Sequence, residues 1–172
     1  MHKFLTLLSL AMCVATSAKA IDFKAPYVYL KDLNTGEILL EKNAEEKMAP
    51  SSMSKIITAY LVFERLKSGD VKLDDTFHVS ENAWGKQGSK TFLPLNAKVS
   101  VSDLLQGVIV QSGNDACIAL AEGLSGTEAA FAEEATQRAH EMGATNSTFL
   151  NATGWPDEGH LTTAKDLAII AE

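Results

Sequence analysis

The chain has 172 residues, 46% hydrophobic and 22% charged, which is ordinary globular composition and enough for one folded core. Its formal charge is −7 and no Lys/Arg run interrupts the acidic surplus, so a surface built to neutralise phosphates, and with it a nucleic-acid partner, is not expected. Eleven Gly and four Pro without repeats or low-complexity tracts argue against a fibrous or disordered chain.

Residues 1–20 combine an early cation (Lys3), an apolar run from Phe4 to Val14 and small residues ending Ala18-Lys19-Ala20, the pattern of a secretory signal peptide cleaved after Ala20. The run is broken by Thr6 and Ser9 and falls short of the ~20 residues that span a bilayer. A lipoprotein signal at Cys13 is the lesser alternative, because Met12 is bulky where small residues are usual. The expectation is an exported protein. After cleavage only Cys117 remains, set in the apolar stretch Ala116 to Ala121, where it reads as a small buried hydrophobe. His2, His78, His140 and His160 lack metal-ligand spacing, which disfavours a zinc hydrolase.

Along residues 21–172, Tyr27–Leu33 and Glu37–Glu41 around Asn34-Thr35-Gly36 predict a hairpin. From Ser52 to about Leu66 the chain is apolar nearly all round, predicting a buried central helix. Thr76–Val79 and Lys98–Val101 read as short strands flanking a polar loop that holds Gly85, Gly88 and Ser89, with Trp84 near it. Ser100 with Asp103 caps a helix that stops near Ser112-Gly113-Asn114, and a second restarts at Asp115. Ser125 with Glu128 is expected to cap a third, whose stripe of Ala129, Phe131, Ala132, Ala135, Ala139 and Met142 closes at Gly143. A loop with Asn151, Gly154 and Pro156 leads to a last helix opened by Thr162-Thr163.

Two places carry chemistry. In Ser52-Met53-Ser54-Lys55 the serine and lysine are one helical turn apart, so the hydroxyl and amine can meet. Lysine serves as a base for serine only if burial lowers its pKa from about 10.4, and an apolar helix supplies the burial. The bland reading is that Ser51, Ser52 and Ser54 simply cap a core helix. The second place is Ser112-Gly113-Asn114 between two apolar helices, an ordinary turn unless it packs against the start of the buried helix.

These residues resemble the serine D-alanyl-D-alanine carboxypeptidases, low-molecular-mass penicillin-binding proteins related to class A β-lactamases. The resemblance is carried by Asn43-Ala44, Pro50 to Lys55, Asp103-Leu104-Leu105, Val110 to Ala116, Phe149, Asn151, Gly154, His160 and Asp166-Leu167-Ala168. It implies an α/β (α+β) β-lactamase/transpeptidase-like fold, an antiparallel sheet flanked by helices, of which residues 21–172 are the N-terminal portion. It also implies that Ser52 attacks the terminal D-Ala-D-Ala bond of a peptidoglycan stem pentapeptide, with Lys55 as base. Ser112 would assist proton transfer to the leaving D-alanine, Asn114 would bind substrate, and the Ser52 backbone N–H would supply half of an oxyanion hole. β-Lactams would acylate the same serine, without metal or cofactor, outside the cytoplasm of a bacterium. Membrane attachment would come only from a C-terminal region these residues do not contain.

The family's third motif, K-[ST]-G, is absent. Lys90-Thr91-Phe92 lacks the glycine and Ala152-Thr153-Gly154 lacks the lysine. The expectation is that these residues alone form an incomplete, inactive and poorly stable unit. A class A-like β-lactamase would need an acidic loop residue, for which Asp157-Glu158 is the local look-alike. The sequence is also compatible with a peptidoglycan endopeptidase of the same superfamily and with an inactive, truncated wall-binding remnant.

Overall fold

The structure is a computed structural model that describes residues 23–172. The signal-peptide reading of residues 1–20 lies outside the described residues. Strands β1 (Val28–Lys31) and β2 (Ile38–Lys42) form the predicted antiparallel hairpin, with an irregularity in register between Leu30 and Lys31. A 3-10 turn (Ser51–Ser54) leads into helix α1 (Lys55–Ser68), which Gly69 ends in a left-handed conformation at φ 84°. Strands β3 (Thr76–His78) and β4 (Lys98–Ser100) pair antiparallel as a second ribbon, flanking a short helix α2 (Glu81–Gly85). Helices α3 (Val101–Gln111), α4 (Asn114–Ser125), α5 (Glu128–Glu141) and α6 (Ala164–Ala171) complete the described chain.

Helix α4 is the centre of the molecule. Every residue from Asn114 to Ala121 is buried, and α4 packs against α1, α2, α3, α5 and β3. Its small side chains allow this: Ala116, Cys117, Ala119 and Ala121 let neighbours approach, and a Cβ at Gly123 would lie 2.2 Å from the Phe77 ring of β3. Phe131, Phe149, Leu104 and Val62 fill the space around it.

Three boundaries differ from the sequence reading. The segment from Ser52 begins as a 3-10 turn, not as α-helix. Trp84 and Gly85 belong to α2, because Ser80 accepts a hydrogen bond from Ala83 N–H and turns a stretch read as loop into helix. Ser125 does not cap α5. It is the last residue of α4, Gly126 breaks the chain at φ 80°, and Thr127 is the cap, its hydroxyl accepting from Ala130 N–H at 3.0 Å. Ala129 accordingly lies exposed ahead of the buried stripe, which starts at Phe131.

Candidate functional site

The 3-10 turn has three residues per turn, so positions i and i+3 eclipse, and this places Lys55 over Ser52 with Nζ 3.2 Å from Oγ. Ser52 is exposed while Lys55 is buried at 6% accessibility. Ser51, just before it, takes a left-handed backbone (φ 48°) that serine adopts at a cost of about 1–2 kcal/mol.

Lys55 Nζ has two further acceptors, Asn114 Oδ1 at 2.8 Å and the Thr153 carbonyl at 2.7 Å. A neutral amine has two hydrogens and one lone pair. With both hydrogens given to Asn114 and Thr153, the lone pair is left for the Ser52 hydroxyl, the arrangement a general base requires. Burial lowers the Lys55 pKa below the ordinary 10.5. Cys117 lies behind Lys55, but burial pushes its thiol up to about 12, so it is a neutral group and does not hold the proton on Lys55.

Ser112 ends α3 in a left-handed conformation (φ 53°), which reverses the chain so that Asn114 can start α4 facing α1. The Asn114 amide is used at both ends: Oδ1 accepts from Lys55, and Nδ2 donates to Gln87 O at 2.7 Å. Its backbone N–H donates to Ser89 O at 2.8 Å, so Asn114 also fastens the loop from Lys86 to Leu93. The buried Asp115 holds the far part of that loop by accepting from Thr91 N–H (2.8 Å) and Leu93 N–H (3.1 Å). Among the described residues Ser112 makes no hydrogen bond to Ser52 or Lys55, although all three line one open depression of about 500 Å³. A smaller cleft of about 230 Å³ opens on the other side of Ser52, between Ser89, Asn114 and Trp155.

The loop after α5 closes the base of the site. Asn151 Oδ1 accepts from the backbone N–H groups of Thr153, Gly154 and Trp155, bending the chain so that the Thr153 carbonyl points at Lys55. Gly154, at φ 81°, lies on the nucleophile turn: a Cβ there would sit 1.7 Å from Ser51 O and 3.1 Å from Ser52 N. Thr58 Oγ1 donates to Ala152 O at 2.8 Å, and Ser54 Oγ meets His160 Nε2 at 2.8 Å, tying the same loop to the start of α1.

The structure thus brings Ser52 and Lys55 together with Ser112 and Asn114, from two separate segments of the chain. Sequence reading does not single out the Thr153 carbonyl, Thr58, or the Ser54–His160 contact as parts of the site. The signal that points to the first is Asn151 three residues before Gly154, a turn former followed by a residue able to take positive φ. Asp157 and Glu158 are solvent-exposed and line neither depression. No three His, Cys, Asp or Glu side chains among the described residues converge on a metal position.

Residues 14–172 match the family described as D-alanyl-D-alanine carboxypeptidase. The chain is 40% identical over 157 residues to the D-alanyl-D-alanine carboxypeptidase DacF of Bacillus subtilis, covering 91% of this chain but 40% of that protein. The crystal structure of the D-alanyl-D-alanine carboxypeptidase DacD from Francisella tularensis superposes with a TM-score of 0.86 at 42% identity, covering 88% of this chain and 37% of that one. Penicillin-binding protein D2 of Listeria monocytogenes, solved in its ampicillin-bound form, gives a TM-score of 0.75 at 28% identity over 86% of this chain and 60% of that one. The fold is therefore the penicillin-binding, transpeptidase-like α/β fold, and the chain spans less than half the length of the curated relative it matches. With a matched span that includes the serine turn, the Ser112 junction and the Asn151 loop, the chain belongs to the D-alanyl-D-alanine carboxypeptidase family.

Proposed function

We propose that the full-length protein is a serine D-alanyl-D-alanine carboxypeptidase that trims peptidoglycan stem peptides outside the cytoplasm. The observation that carries this is the set of contacts at Lys55, whose buried Nζ lies 3.2 Å from Ser52 Oγ, 2.8 Å from Asn114 Oδ1 and 2.7 Å from the Thr153 carbonyl, so that once the amine is neutral its lone pair can face the Ser52 hydroxyl. Ser52 Oγ attacks the carbonyl carbon between the two terminal D-alanines as its proton passes to Lys55 Nζ. The tetrahedral oxyanion collapses, the C–N bond breaks, and the leaving D-alanine amine takes a proton delivered from Lys55 by way of Ser112. Water then hydrolyses the Ser52 ester, returning the hydroxyl and releasing the shortened peptide.

Asn114 orients the base and keeps one amide hydrogen for the substrate carbonyl, while the Ser52 N–H serves as one oxyanion donor beside Gly154. The second donor and the cation for the substrate carboxylate are supplied by the family's K-[ST]-G strand, which is not among these residues. Because ampicillin and cefotaxime occupy the related Listeria protein, β-lactams are expected to acylate Ser52 here. A β-lactamase reading finds no support, since Asp157 and Glu158 are exposed and line neither depression at Ser52.

The test is mass spectrometry of a stem pentapeptide and of a cross-linked dimer incubated with the full-length protein. Loss of one D-alanine from the pentapeptide, abolished in Ser52→Ala, is the expected result. Cleavage of the dimer with an untouched pentapeptide would instead make the protein an endopeptidase.

A further inference from the structure

His160 is 2% exposed, nearly every atom of it enclosed, yet it lies outside the acyl-transfer chemistry above. Its two ring nitrogens face different parts of the site. Nδ1 accepts a hydrogen bond from Leu150 N–H at 3.2 Å, so Nδ1 carries no proton. In the neutral ring the proton must then be on Nε2, which donates to Ser54 Oγ at 2.8 Å. The ring plane is fixed by an edge contact to Phe149, with centroids 5.8 Å apart at 82°, and the His160 backbone N–H donates to Asp157 O at 3.1 Å.

The two partners flank the reacting groups. Ser54 is the residue between Met53 and Lys55 in the nucleophile turn. Leu150 immediately precedes Asn151, whose side chain folds the turn that aims the Thr153 carbonyl at Lys55. One imidazole therefore spans from the turn that carries Ser52 and Lys55 to the loop that orients the Lys55 lone pair.

We propose that His160 is a positioning residue for the Ser52–Lys55 pair, acting as the neutral Nε2–H tautomer that clamps the serine turn to the Thr153 loop. The inference rests on the carboxypeptidase reading and adds to it a residue acting through Ser54 and Leu150. Protonation would turn Nδ1 into a second donor facing Leu150 N–H, and the loop side of the clamp would open. Burial already disfavours the imidazolium, lowering the pKa below 6.5. Asp157 of the same loop opposes that effect from solvent. Lys55 of α1, Glu128 of α5 and Asp166 of α6 are committed elsewhere, to the Thr153 carbonyl, to Ala152 N–H and to Asn146 N–H with Ser147 Oγ.

Two measurements on the full-length protein test this. Nitrogen-15 NMR of histidine-labelled protein should show His160 at neutral pH with Nε2 protonated and Nδ1 bare; the opposite tautomer or an imidazolium overturns the proposal without any variant. The second is the rate of Ser52 acylation by fluorescent penicillin against pH. Gln offers the same donor and acceptor but does not titrate, so His160→Gln should stay within about threefold of wild type at pH 8, whereas His160→Ala should fall by about tenfold or more. On acidification the wild-type rate should fall more steeply than that of His160→Gln, in which only Lys55 of the two titrates. Superimposable pH profiles, or a folded His160→Ala that acylates as fast as wild type, refute the clamp. A wild type with no Ser52 labelling refutes the carboxypeptidase reading itself, and the clamp with it.

Discussion

Gly154 shows how tightly the site is built at the scale of single residues. Its missing side chain lets the Asn151 loop lie against the Ser51 carbonyl, and its φ of 81° is costly for any other residue. Gly154→Ala should therefore push the loop and its Thr153 carbonyl away from Lys55. We expect Ser52 acylation to fall about tenfold to a hundredfold, with the melting temperature lowered, as read by penicillin labelling and circular dichroism. Unchanged labelling would mean that the Thr153 contact is dispensable. At this scale the spacing of Ser52 and Lys55 and the junction at Ser112 and Asn114 are visible in the sequence, but by themselves they also read as helix caps and an ordinary turn, and only the resemblance gives them roles. Thr153 is not visible, since it contributes a backbone carbonyl, which every residue has, and only the tertiary fold selects one. The pKa directions of Lys55 and His160 share a sign. Each folded value lies below its unfolded one, so the unfolded chain holds more protons, and each group lowers stability as pH falls through the interval under 10.5 and under 6.5 respectively.

At the scale of elements, the helices that α4 gathers are legible from their apolar periodicity, and the hairpin from Asn34-Thr35-Gly36. Boundaries are misread where two rules compete for the same residues. Ser125 with Glu128 matches the capping-box spacing, but Gly126 turns the chain at φ 80° and leaves Thr127 in the extended conformation a cap requires. Ser125 instead donates to Glu134 at 2.9 Å, joining the end of α4 to α5. Thr127→Ala is expected to destabilise the fold by about 1 kcal/mol in denaturant titration, with the slope unchanged. No loss in Thr127→Ala would return the cap to Ser125. The serine turn differs in another way: spacing alone gives the i, i+3 pairing of Ser52 and Lys55, but a 3-10 turn after Pro50 realises it and brings the pair into closer eclipse than an α-helix does.

At the scale of the molecule, the helical core is complete around α4, whereas one face of α1 is open. Ile56 and Phe63 on α1 and Ile109 on α3 are between 38% and 59% exposed along the depression that begins at Ser52. The global fold class is legible only through the resemblance, because two separate two-stranded ribbons do not by themselves announce an antiparallel sheet. In the proposed mechanism Lys55 acts as a base and not merely as a positive charge. Lys55→Arg keeps the charge but cannot give up a proton near neutral pH. Measured as penicilloyl adduct on the Ser52 peptide of the folded full-length protein, acylation in Lys55→Arg should fall by about a hundredfold to ten-thousandfold relative to wild type. Acylation at the wild-type rate in that variant would contradict the account.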